Sequence, residues 1–521
     1  MDTTEPEDVS WHQTRERGTT VLEGRLTVRG VRRLVLCSSP LLVAALVALV
    51  PSGTDAGASI ARVTESAQPN IVVVLTDDMR ADELRFLPAV RRLERSGVTF
   101  TGAVSADSLC CPARATLLTG KLAHNHLTIG NDPTTYGGYS VFAEHNDIQD
   151  LLPQWLRSKG YRTGWIGKYL NDTPASDHFR QPDWTYFAVP VRKVYSYSTS
   201  VFSINGQLQF DDGYRELYTR HLLLSRVRDW SAGPRPFFLL YSALAPHKAW
   251  PTNDRGEPPV PQQKYQGFDT SRLVVRPSVG ETDLSDKPQW VQQYAAEHGI
   301  RPYARTLEAH RVKALLSVND TVRALTDTLR DEHELADTVV VFTSDNGFML
   351  REHDLADKNK AYEESLHVPL VVRGPGFRGG LEYDETVSLA DLTATVRRAA
   401  GVARLHGADG LPLQDVLADP LSFARRPVEI EGSLALIPHR STLPTDSIGR
   451  FYTGVVWGPY SLVHYETGDW EFYDRTLDPW QLENSYSTHP TPGGPQALLE
   501  QWYDAHVDCR RADCNDPVPQ P

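Results

Sequence analysis

Cysteines, basic runs and repeats are scarce in this sequence. Five cysteines in 521 residues are too few for the disulfide framework that holds many small secreted domains together. The formal net charge is −13 and no long basic run is present, which argues against a nucleic-acid-binding protein. The sequence contains no repeats or low-complexity arrays. With 40% hydrophobic residues, the chain is long enough for a large globular unit with an ample core.

The N-terminal region has the pattern of a secretory signal peptide. The apolar run LVLCSSPLLVAALVALV at residues 34–50 follows several arginines and precedes a small-residue stretch that ends at Ala58, where we place cleavage. A membrane anchor is the alternative, but the run is short and is broken by serines and Pro40. We therefore expect residues 1–58 to be an extension with a signal peptide, residues 59–69 a linker, and the exported protein to keep no stable membrane span.

The stretch LCCPARATLLTGKLAHNHLTIG at residues 109–130 combines a potential nucleophile with an anion-binding surface. Pro112 suits the first turn of a helix and Gly120 suits its end, so we predict a short helix that begins at the cysteines. The N-terminus of such a helix favours an anion beside Cys110. Arg114 lies four residues further on, on the same helical face. Buried thiols without chemical function are the alternative interpretation.

Paired polar residues follow two apolar runs, NIVVVLT at residues 70–76 and TVVVFTS at residues 338–344. Both runs are typical of strands buried on both faces. Asp77-Asp78 follows the first and Asp345-Asn346 the second, and ligand sites collect at the carboxyl ends of such strands. Carboxylate and amide oxygens suit Ca²⁺ or Mg²⁺ rather than Zn²⁺. For the aspartate pair, capping of a helix near residue 81 is the alternative.

The remaining elements complete an alternation of helices and strands. The predicted ones are helices over 148–159 and 304–331 and strands over 161–166 and 236–241. We expect residues 250–291 to form a long ordered loop near the pocket that holds the predicted metal ligands. From about residue 404, four short strand-like runs and a final helix predict a small antiparallel sheet packed by a helix. In an exported protein, Cys509 and Cys514 suit a local disulfide, and two free thiols are the alternative.

Cys-x-Pro-x-Arg at residues 110–114, followed by Thr119-Gly120, resembles the modification motif of type I sulfatases in the alkaline phosphatase superfamily. The flanking Lys121 and His124-Asn125-His126 are similar to the N-acetylglucosamine-6-sulfatase and extracellular heparan sulfatase branch. The resemblance implies an α/β fold in which a large mixed β-sheet lies between helices, with a catalytic domain over 70–403. A smaller C-terminal subdomain over 404–521 would hold an antiparallel sheet and a helix.

The resemblance also implies the cofactors. A formylglycine-generating enzyme would oxidise Cys110 to formylglycine (3-oxoalanine), whose hydrated aldehyde is the nucleophile. A divalent cation, usually Ca²⁺ with Mg²⁺ as the alternative, would be bound by five residues: Asp77, Asp78, Cys110, Asp345 and Asn346. The sulfate would be held by four cationic side chains: Arg114, Lys121, Lys168 and Lys358. His247 would protonate the leaving alcohol, and His124 would hold the remaining hydroxyl of the nucleophile and assist the loss of sulfate.

Some positions stay open at this level. The Lys-x3-Tyr-Glu spacing selects Lys358, so Lys360 and Glu352 are expected on a solvated surface. Many relatives carry a histidine two residues after the first sulfate-binding lysine. This sequence has Leu170 and then Asn171, whose role is undefined, and His353 is a pocket residue without an assigned role.

The predicted function is that of a secreted sulfatase for sulfate monoesters of carbohydrates or aryl alcohols. Because the whole chain is acidic, a sulfated polyanion would have to be attracted by a local basic pocket. Two alternatives remain: a phosphonate or phosphate ester hydrolase of the same superfamily, and a catalytically silent protein that binds sulfated glycans.

Overall fold

The computed structural model describes residues 68–176, 178–249, 257–298, 304–403, 407–437 and 442–520. The predicted extension and signal peptide, and most of the predicted linker, lie outside the described residues. Within these ranges, no helix is long and apolar enough to cross a membrane.

A ten-stranded mixed sheet forms the centre of the fold, and its spatial order is β13-β2-β12-β9-β1-β8-β4-β5-β6-β7. The strands in chain order are β1 (Asn70–Thr76), β2 (Val98–Phe100), β3 (Ala103–Val104), β4 (Arg162–Gly167), β5 (Tyr186–Arg192), β6 (Ser200–Ile204), β7 (Gln207–Asp211), β8 (Phe237–Ser242), β9 (Thr338–Ser344), β10 (Met349–Leu350), β11 (Ala356–Asp357), β12 (Leu370–Arg373), β13 (Leu381–Tyr383), β14 (Val387–Ser388), β15 (Val428–Ser433), β16 (Arg450–Trp457), β17 (Tyr460–Tyr465) and β18 (Trp470–Asp474).

The middle of the large sheet is parallel. Strand β1 pairs with β8 and β9, so that Val73 lies opposite Leu240 on one side and Val341 on the other. Every residue of β1 and β9 is buried, as expected for β-branched strands covered on both faces. Both strands have the bounds that the sequence predicts, while β4 and β8 begin one residue later than predicted.

Helices cover both faces of this sheet, and further helices follow in the C-terminal part of the chain. In chain order they are α1 (Val90–Ser96), α2 (Cys110–Thr119), α3 (Ala123–His126), α4 (Gly138–His145), α5 (Leu152–Ser158), α6 (Arg215–Ser231), α7 (Gln289–His298), α8 (Arg305–Asp331), α9 (Glu363–Leu366), α10 (Leu389–Ala399), α11 (Leu413–Ala418), α12 (Pro420–Phe423) and α13 (Pro495–His506). Helices α6 and α8 pack against Val72 and Val74 of β1, whereas α2, α5 and α10 pack against Ile71 and Val73 on the opposite face. The alternating side chains of one strand therefore fill two separate cores.

Helix α2 starts at Cys110, as predicted, because Leu109 is still extended. It ends at Gly120, whose φ of 71° is the left-handed conformation that suits glycine at this position. The helix near residue 81 is a 3₁₀-helix, Ala81–Phe86, and the helix predicted over 148–159 is limited to α5. Helix α7 begins at Gln289 and so replaces the last three residues of the loop predicted over 250–291, of which 250–256 lie outside the described residues. The sequence did not predict strands β5 to β7 or helix α6.

The C-terminal part contains the predicted small antiparallel sheet, in the order β15-β16-β17-β18. Helix α13 packs on it through Leu499 and Trp502, which contact the side of the sheet that carries Val455 and Leu462. A further apolar cluster joins Ile430 of β15 to Leu355 and Tyr362, which lie between β9 and β12 in the chain. A disulfide links Cys509 to Cys514 just after α13.

Candidate active site

Cys110 lies at the point where the carboxyl ends of β1 and β9 meet the start of α2. Its Sγ is 3.2 Å from Asp77 Oδ1, 3.7 Å from Asp78 Oδ1 and 2.8 Å from Lys358 Nζ. The side chain is fully buried. Strand β1 delivers the two aspartates and α2 delivers the cysteine, so the predicted nucleophile and metal ligands do meet.

The four predicted oxygen ligands form one buried cluster. The backbone N–H of Asp78 donates to Asp345 Oδ1 at 3.0 Å, and Asn346 Nδ2 donates to Asp78 Oδ1 at 2.9 Å. Asn346 Oδ1 is buried and accepts no hydrogen bond from the described residues. An unpartnered amide oxygen beside three carboxylates (Asp77, Asp78 and Asp345) is the environment that a hard divalent cation would satisfy. The donor set therefore fits the predicted metal.

Two buried lysines supply positive charge next to Cys110. Lys168 Nζ lies 2.7 Å from Asp77 Oδ2, and Lys358 contacts both Asp78 and the cysteine sulfur. Burial by itself would lower the pKa of each lysine, but the neighbouring aspartates outweigh it and raise the pKa. Both ammonium groups therefore stay charged where an anion would enter.

Arg114 is fully engaged with the framework of the site. Its Nε and Nη2 both lie 2.8 Å from Asp345 Oδ2, and Nη1 donates to the Lys168 carbonyl at 2.7 Å and to Ser242 Oγ at 2.8 Å. This guanidinium fixes the carboxylate of Asp345, a predicted metal ligand, and the backbone that carries Lys168. The predicted contact of Arg114 with sulfate stays a prediction.

His247 follows β8 and faces the aspartate pair. Its Nε2 is 3.7 Å from Asp78 Oδ2, and its Nδ1 donates to the Lys248 carbonyl at 2.7 Å. Burial, helped by the positive charges of Lys358 and Lys168, lowers the pKa of His247 to about 3, against the opposing pull of Asp78. The ring is therefore neutral, with Nε2 turned toward the cluster.

Lys121 does not reach this cluster, so its predicted contact with sulfate is corrected. It follows the C-terminal end of α2, and a ten-residue helix separates its two ends by about 15 Å. Lys121 instead borders a cavity of about 240 Å³ beyond the C-terminal end of the helix. The other residues that line this cavity are His124, Asn125, Leu127, Gly407, Asp409, Arg510 and Arg511.

His124 is also placed elsewhere, and its predicted contact with the nucleophile is wrong. Its Nδ1 lies 3.0 Å from Glu431 Oε1, and its Nε2 lies 2.7 Å from the Cys509 carbonyl. Burial would lower the pKa of His124, but Glu431 and Glu429 outweigh it and raise the pKa to about 10. With both ring nitrogens occupied, the imidazolium links α3 to the C-terminal sheet.

Glu352 and Lys360 are buried, which corrects the expectation that they are solvated. Glu352 pairs with Arg80 at 2.8 Å and with Arg276 at 2.7 Å. Lys360 Nζ donates to the Lys358 carbonyl at 2.8 Å, so it stabilises the backbone of the lysine that is predicted to bind sulfate.

His353 and Asn171, whose roles the sequence left open, have defined partners. His353 Nδ1 lies 2.6 Å from Glu281 Oε2, and its ring stacks on Tyr362 at 4.4 Å between centroids. Asn171 Nδ2 donates to the hydroxyl of Tyr195 at 2.9 Å.

Two tyrosines of the loop between β5 and β6 are contacts of the site that the sequence did not single out. The ring of Tyr195 stacks on His247 with 4.7 Å between centroids and an interplanar angle of 18°. The hydroxyl of Tyr197 donates to the His247 carbonyl at 2.8 Å. Two tyrosines two residues apart in a loop are a weak signal, because nothing local connects them to a histidine fifty residues away.

The mixed sheet, the helix that begins at a buried cysteine and the carboxylates at the strand ends define a hydrolase of the alkaline phosphatase-like superfamily. The sulfatase family model matches residues 69–402, and the model described as N-sulphoglucosamine sulphohydrolase, C-terminal, matches residues 351–501. Because the first match covers well over half of the chain, the chain belongs to the sulfatase family and is a sulfuric ester hydrolase.

Known relatives resemble the chain over most of its length. An arylsulfatase from Chlamydomonas reinhardtii is 26% identical over 510 residues, which cover 88% of this chain and 77% of the relative. The N-acetylglucosamine-6-sulfatase of Homo sapiens is 31% identical over 401 residues, which cover 73% of this chain and 68% of the relative.

Solved structures share the fold. A structure described as a complex with its substrate D-glucosamine-2-N,6-O-disulfate has a TM-score of 0.64 at 21% identity, and the match covers 87% of this chain and all of that one. A phosphonate monoester hydrolase from Silicibacter pomeroyi has a TM-score of 0.61 at 19% identity, with coverage of 84% and 94%.

Proposed function

We propose that this chain is an exported sulfatase whose nucleophile is a formylglycine made from Cys110 by a formylglycine-generating enzyme. The supporting observation is the environment of Cys110, whose Sγ lies within 3.7 Å of Asp77, Asp78 and Lys358. Burial and the charge of Asp77 raise the pKa of the Cys110 thiol well above its usual range. The unmodified side chain is therefore a poor nucleophile at neutral pH, although it lies among groups suited to binding an anion.

The cation is proposed to bind to the buried oxygen donors and to the converted side chain of Cys110. The donors from the two strand ends are Asp77, Asp78, Asp345 and Asn346. When bound, Ca²⁺, or Mg²⁺ as the alternative, supplies Lewis acidity that favours ionisation of the attacking hydroxyl. Arg114 keeps the carboxylate of Asp345 in place through its two contacts at 2.8 Å.

The surrounding side chains bind the sulfate and move the proton. Lys168 and Lys358 present two buried positive charges to the sulfate oxygens and stabilise the charge that develops on them. Once protonated at Nε2, His247 would hold a proton beside the oxygen of the leaving alcohol. The entering anion raises the pKa of this histidine, because a negative charge next to the ring favours its protonated form.

The proposed substrate is a sulfated carbohydrate, with aryl sulfates as simpler substitutes. The support is the similarity to an N-acetylglucosamine-6-sulfatase and to a structure in complex with a sulfated glucosamine. Export is supported by the signal-peptide pattern and by the disulfide between Cys509 and Cys514, a bond typical of oxidising compartments. Residues 70–403 are the proposed catalytic domain and residues 404–521 the proposed C-terminal subdomain.

The experiment is to produce the protein together with a formylglycine-generating enzyme and to assay three esters with one preparation. These are an aryl sulfate, N-acetylglucosamine 6-sulfate and an aryl phosphonate. We expect sulfate release from both sulfates, and a loss of at least about a thousandfold in Cys110→Ala. Cys111→Ala is the matched control, because Cys111 is equally buried but packs into the apolar core.

The other outcomes each select a rival. Faster turnover of the phosphonate than of either sulfate would favour the phosphonate hydrolase. Saturable binding of the sulfated sugar without sulfate release would favour the silent glycan-binding protein. Full activity in Cys110→Ala would refute the proposed nucleophile.

A further inference from the structure

The loop between β5 and β6 surrounds His247 on two sides. Tyr197, which is buried, donates its hydroxyl to the His247 carbonyl at 2.8 Å and so holds the backbone. Tyr195, which is half-buried, lies nearly parallel to the imidazole at 4.7 Å between ring centroids. The only hydrogen bond that the structure describes for the imidazole ring itself joins Nδ1 to the Lys248 carbonyl.

The same tyrosine contacts a sulfate-binding group. Lys168 Nζ lies 5.1 Å from the centroid of the Tyr195 ring, within the range of a cation–π interaction. Asn171 Nδ2 donates to the Tyr195 hydroxyl at 2.9 Å. One aromatic ring therefore contacts both the proposed proton donor and a proposed sulfate ligand, and a neighbouring amide holds that ring.

These contacts restrict two motions: rotation of the His247 imidazole about its Cβ–Cγ bond and movement of the long Lys168 side chain. The single bond from Nδ1 to a carbonyl still allows the histidine ring to tilt, whereas a parallel aromatic neighbour limits that tilt. A displacement of about 1 Å between a catalytic group and the reacting atom can lower a rate by about a hundredfold.

We propose that Tyr195 is a positioning residue for ester hydrolysis: its ring sets the plane of His247 and the location of the Lys168 ammonium, and Asn171 fixes the tyrosine. This inference rests on the roles proposed above for His247 and Lys168. It assigns Asn171 a task through Tyr195 and not through the substrate.

The test compares Tyr195→Leu, Tyr195→Phe and Asn171→Ala on two sulfate esters, an activated aryl sulfate and a sugar 6-sulfate. Tyr195→Leu should lower kcat for the sugar ester by about tenfold or more and kcat for the aryl ester much less, because only the poor leaving group needs a proton. KM should rise for both esters, since Lys168 is loosened. Tyr195→Phe keeps the ring, so its kcat for the sugar ester should lie between those of Tyr195→Leu and the unaltered enzyme. The same is expected of Asn171→Ala.

The matched control is Tyr186→Leu. Tyr186 lies on β5 of the same hairpin, but its ring packs under Arg226 at 4.9 Å and contacts no proposed catalytic group. This variant should leave both kcat values and their ratio unchanged. In the double variant Tyr195→Leu, His247→Ala, kcat for the sugar ester should be no lower than in His247→Ala alone. Equal losses of kcat on both esters in Tyr195→Leu would overturn the inference. So would a double variant in which the two single losses of kcat add fully.

A second measurement does not depend on turnover. In the Cys110→Ala background, the carbon-bound ring proton of His247 should have an NMR resonance shifted by the ring current of Tyr195. Tyr195→Leu should abolish that shift, and Tyr186→Leu should preserve it. An unchanged resonance in Tyr195→Leu would refute the positioning role even if the protein is an active sulfatase. If Tyr195→Leu abolishes the shift but the protein with an intact Cys110 shows no sulfatase activity, the result would count against the proposed function alone.

Discussion

Burial and charge together set the state of each group around Cys110. Lys168 and Lys358 stay charged because aspartates lie beside them, while the thiol and His247 are neutral because burial dominates for both. The site is therefore electrostatically prepared for an anion, but it contains no activated thiolate. The proposed conversion of Cys110 to formylglycine would give this arrangement a nucleophile.

Replacing His247 with alanine tests its proposed role as the proton donor. We expect kcat for a sugar sulfate to fall by about a hundredfold or more, because the alkoxide must leave unprotonated, and kcat for an activated aryl sulfate to fall far less. Steady-state kinetics on the two esters measure the difference. Equal losses would show that the histidine serves binding or folding.

Gly167, at the end of β4, shows how close backbone packing positions Lys168. Its φ is 109°, and an added Cβ would lie 1.8 Å from the Ser242 carbonyl oxygen of β8. Gly167→Ala should therefore lower the free energy of unfolding by about 2–4 kcal/mol and reduce activity through displacement of Lys168.

Gly160→Ala is the matched control, because Gly160 has a φ of 89° but open space around its Cβ position. It should cost about 1–2 kcal/mol, from backbone strain alone, and leave activity intact. Chemical denaturation of both variants measures the cost of backbone strain, and kinetics on both measure the effect of displacing Lys168. Similar losses of stability and activity in the two variants would show that the close packing of β4 against β8 at Gly167 does not position Lys168.

Sequence patterns predicted elements well where the signal is local. The β-branched runs of β1 and β9 have the predicted bounds, because burial on both faces leaves a continuous apolar pattern. The predicted sites of Lys121 and His124 are wrong, because α2 separates both residues from Cys110 in space although they are close to it in sequence. Tyr195 was not predicted, because pairing of β4 with β5 and β8, which are far apart in the chain, brings its loop to His247.

At the scale of the whole molecule, the proposed cation links the two strand ends that carry its ligands. Removing it with a chelator should lower both activity and the midpoint of thermal unfolding, because a ligand that binds only the folded state stabilises it. For a chain of this size, each kcal/mol lost corresponds to about 2–4 °C or less. Added Ca²⁺ should restore both properties.

Asn346→Ala provides the comparison for the chelation experiment, since it removes the buried oxygen that has no hydrogen-bond partner among the residues that the structure describes. Thermal unfolding of this variant should respond weakly to chelator and to added Ca²⁺. A full response in Asn346→Ala, or none in the unaltered protein, would contradict the proposed ligand set.

The contact between His124 and Glu431 joins α3 to the C-terminal sheet and should make stability depend on pH. Folding raises the pKa of His124 from 6.5 to about 10, so its stabilising contribution is complete below about pH 6.5 and is lost as pH rises through about 10. We expect the free energy of unfolding to decline across this window, and His124→Gln to remove that part of the decline.

His145→Gln is the control, because His145 is exposed at the end of α4. Denaturant titrations at several pH values should give parallel curves for this variant and the unaltered protein. A His124→Gln curve that also runs parallel would show that the imidazolium does not contribute to stability.

The most direct measurement is mass spectrometry of the tryptic peptide of residues 96–114, from protein made with a formylglycine-generating enzyme and then alkylated. This peptide contains both Cys110 and Cys111, so the second cysteine serves as an internal standard. We predict one alkylated cysteine, at position 111, and at position 110 a residue in which oxygen replaces sulfur and two hydrogens are lost. Two alkylated cysteines, in a preparation that still releases sulfate, would show that catalysis does not require formylglycine.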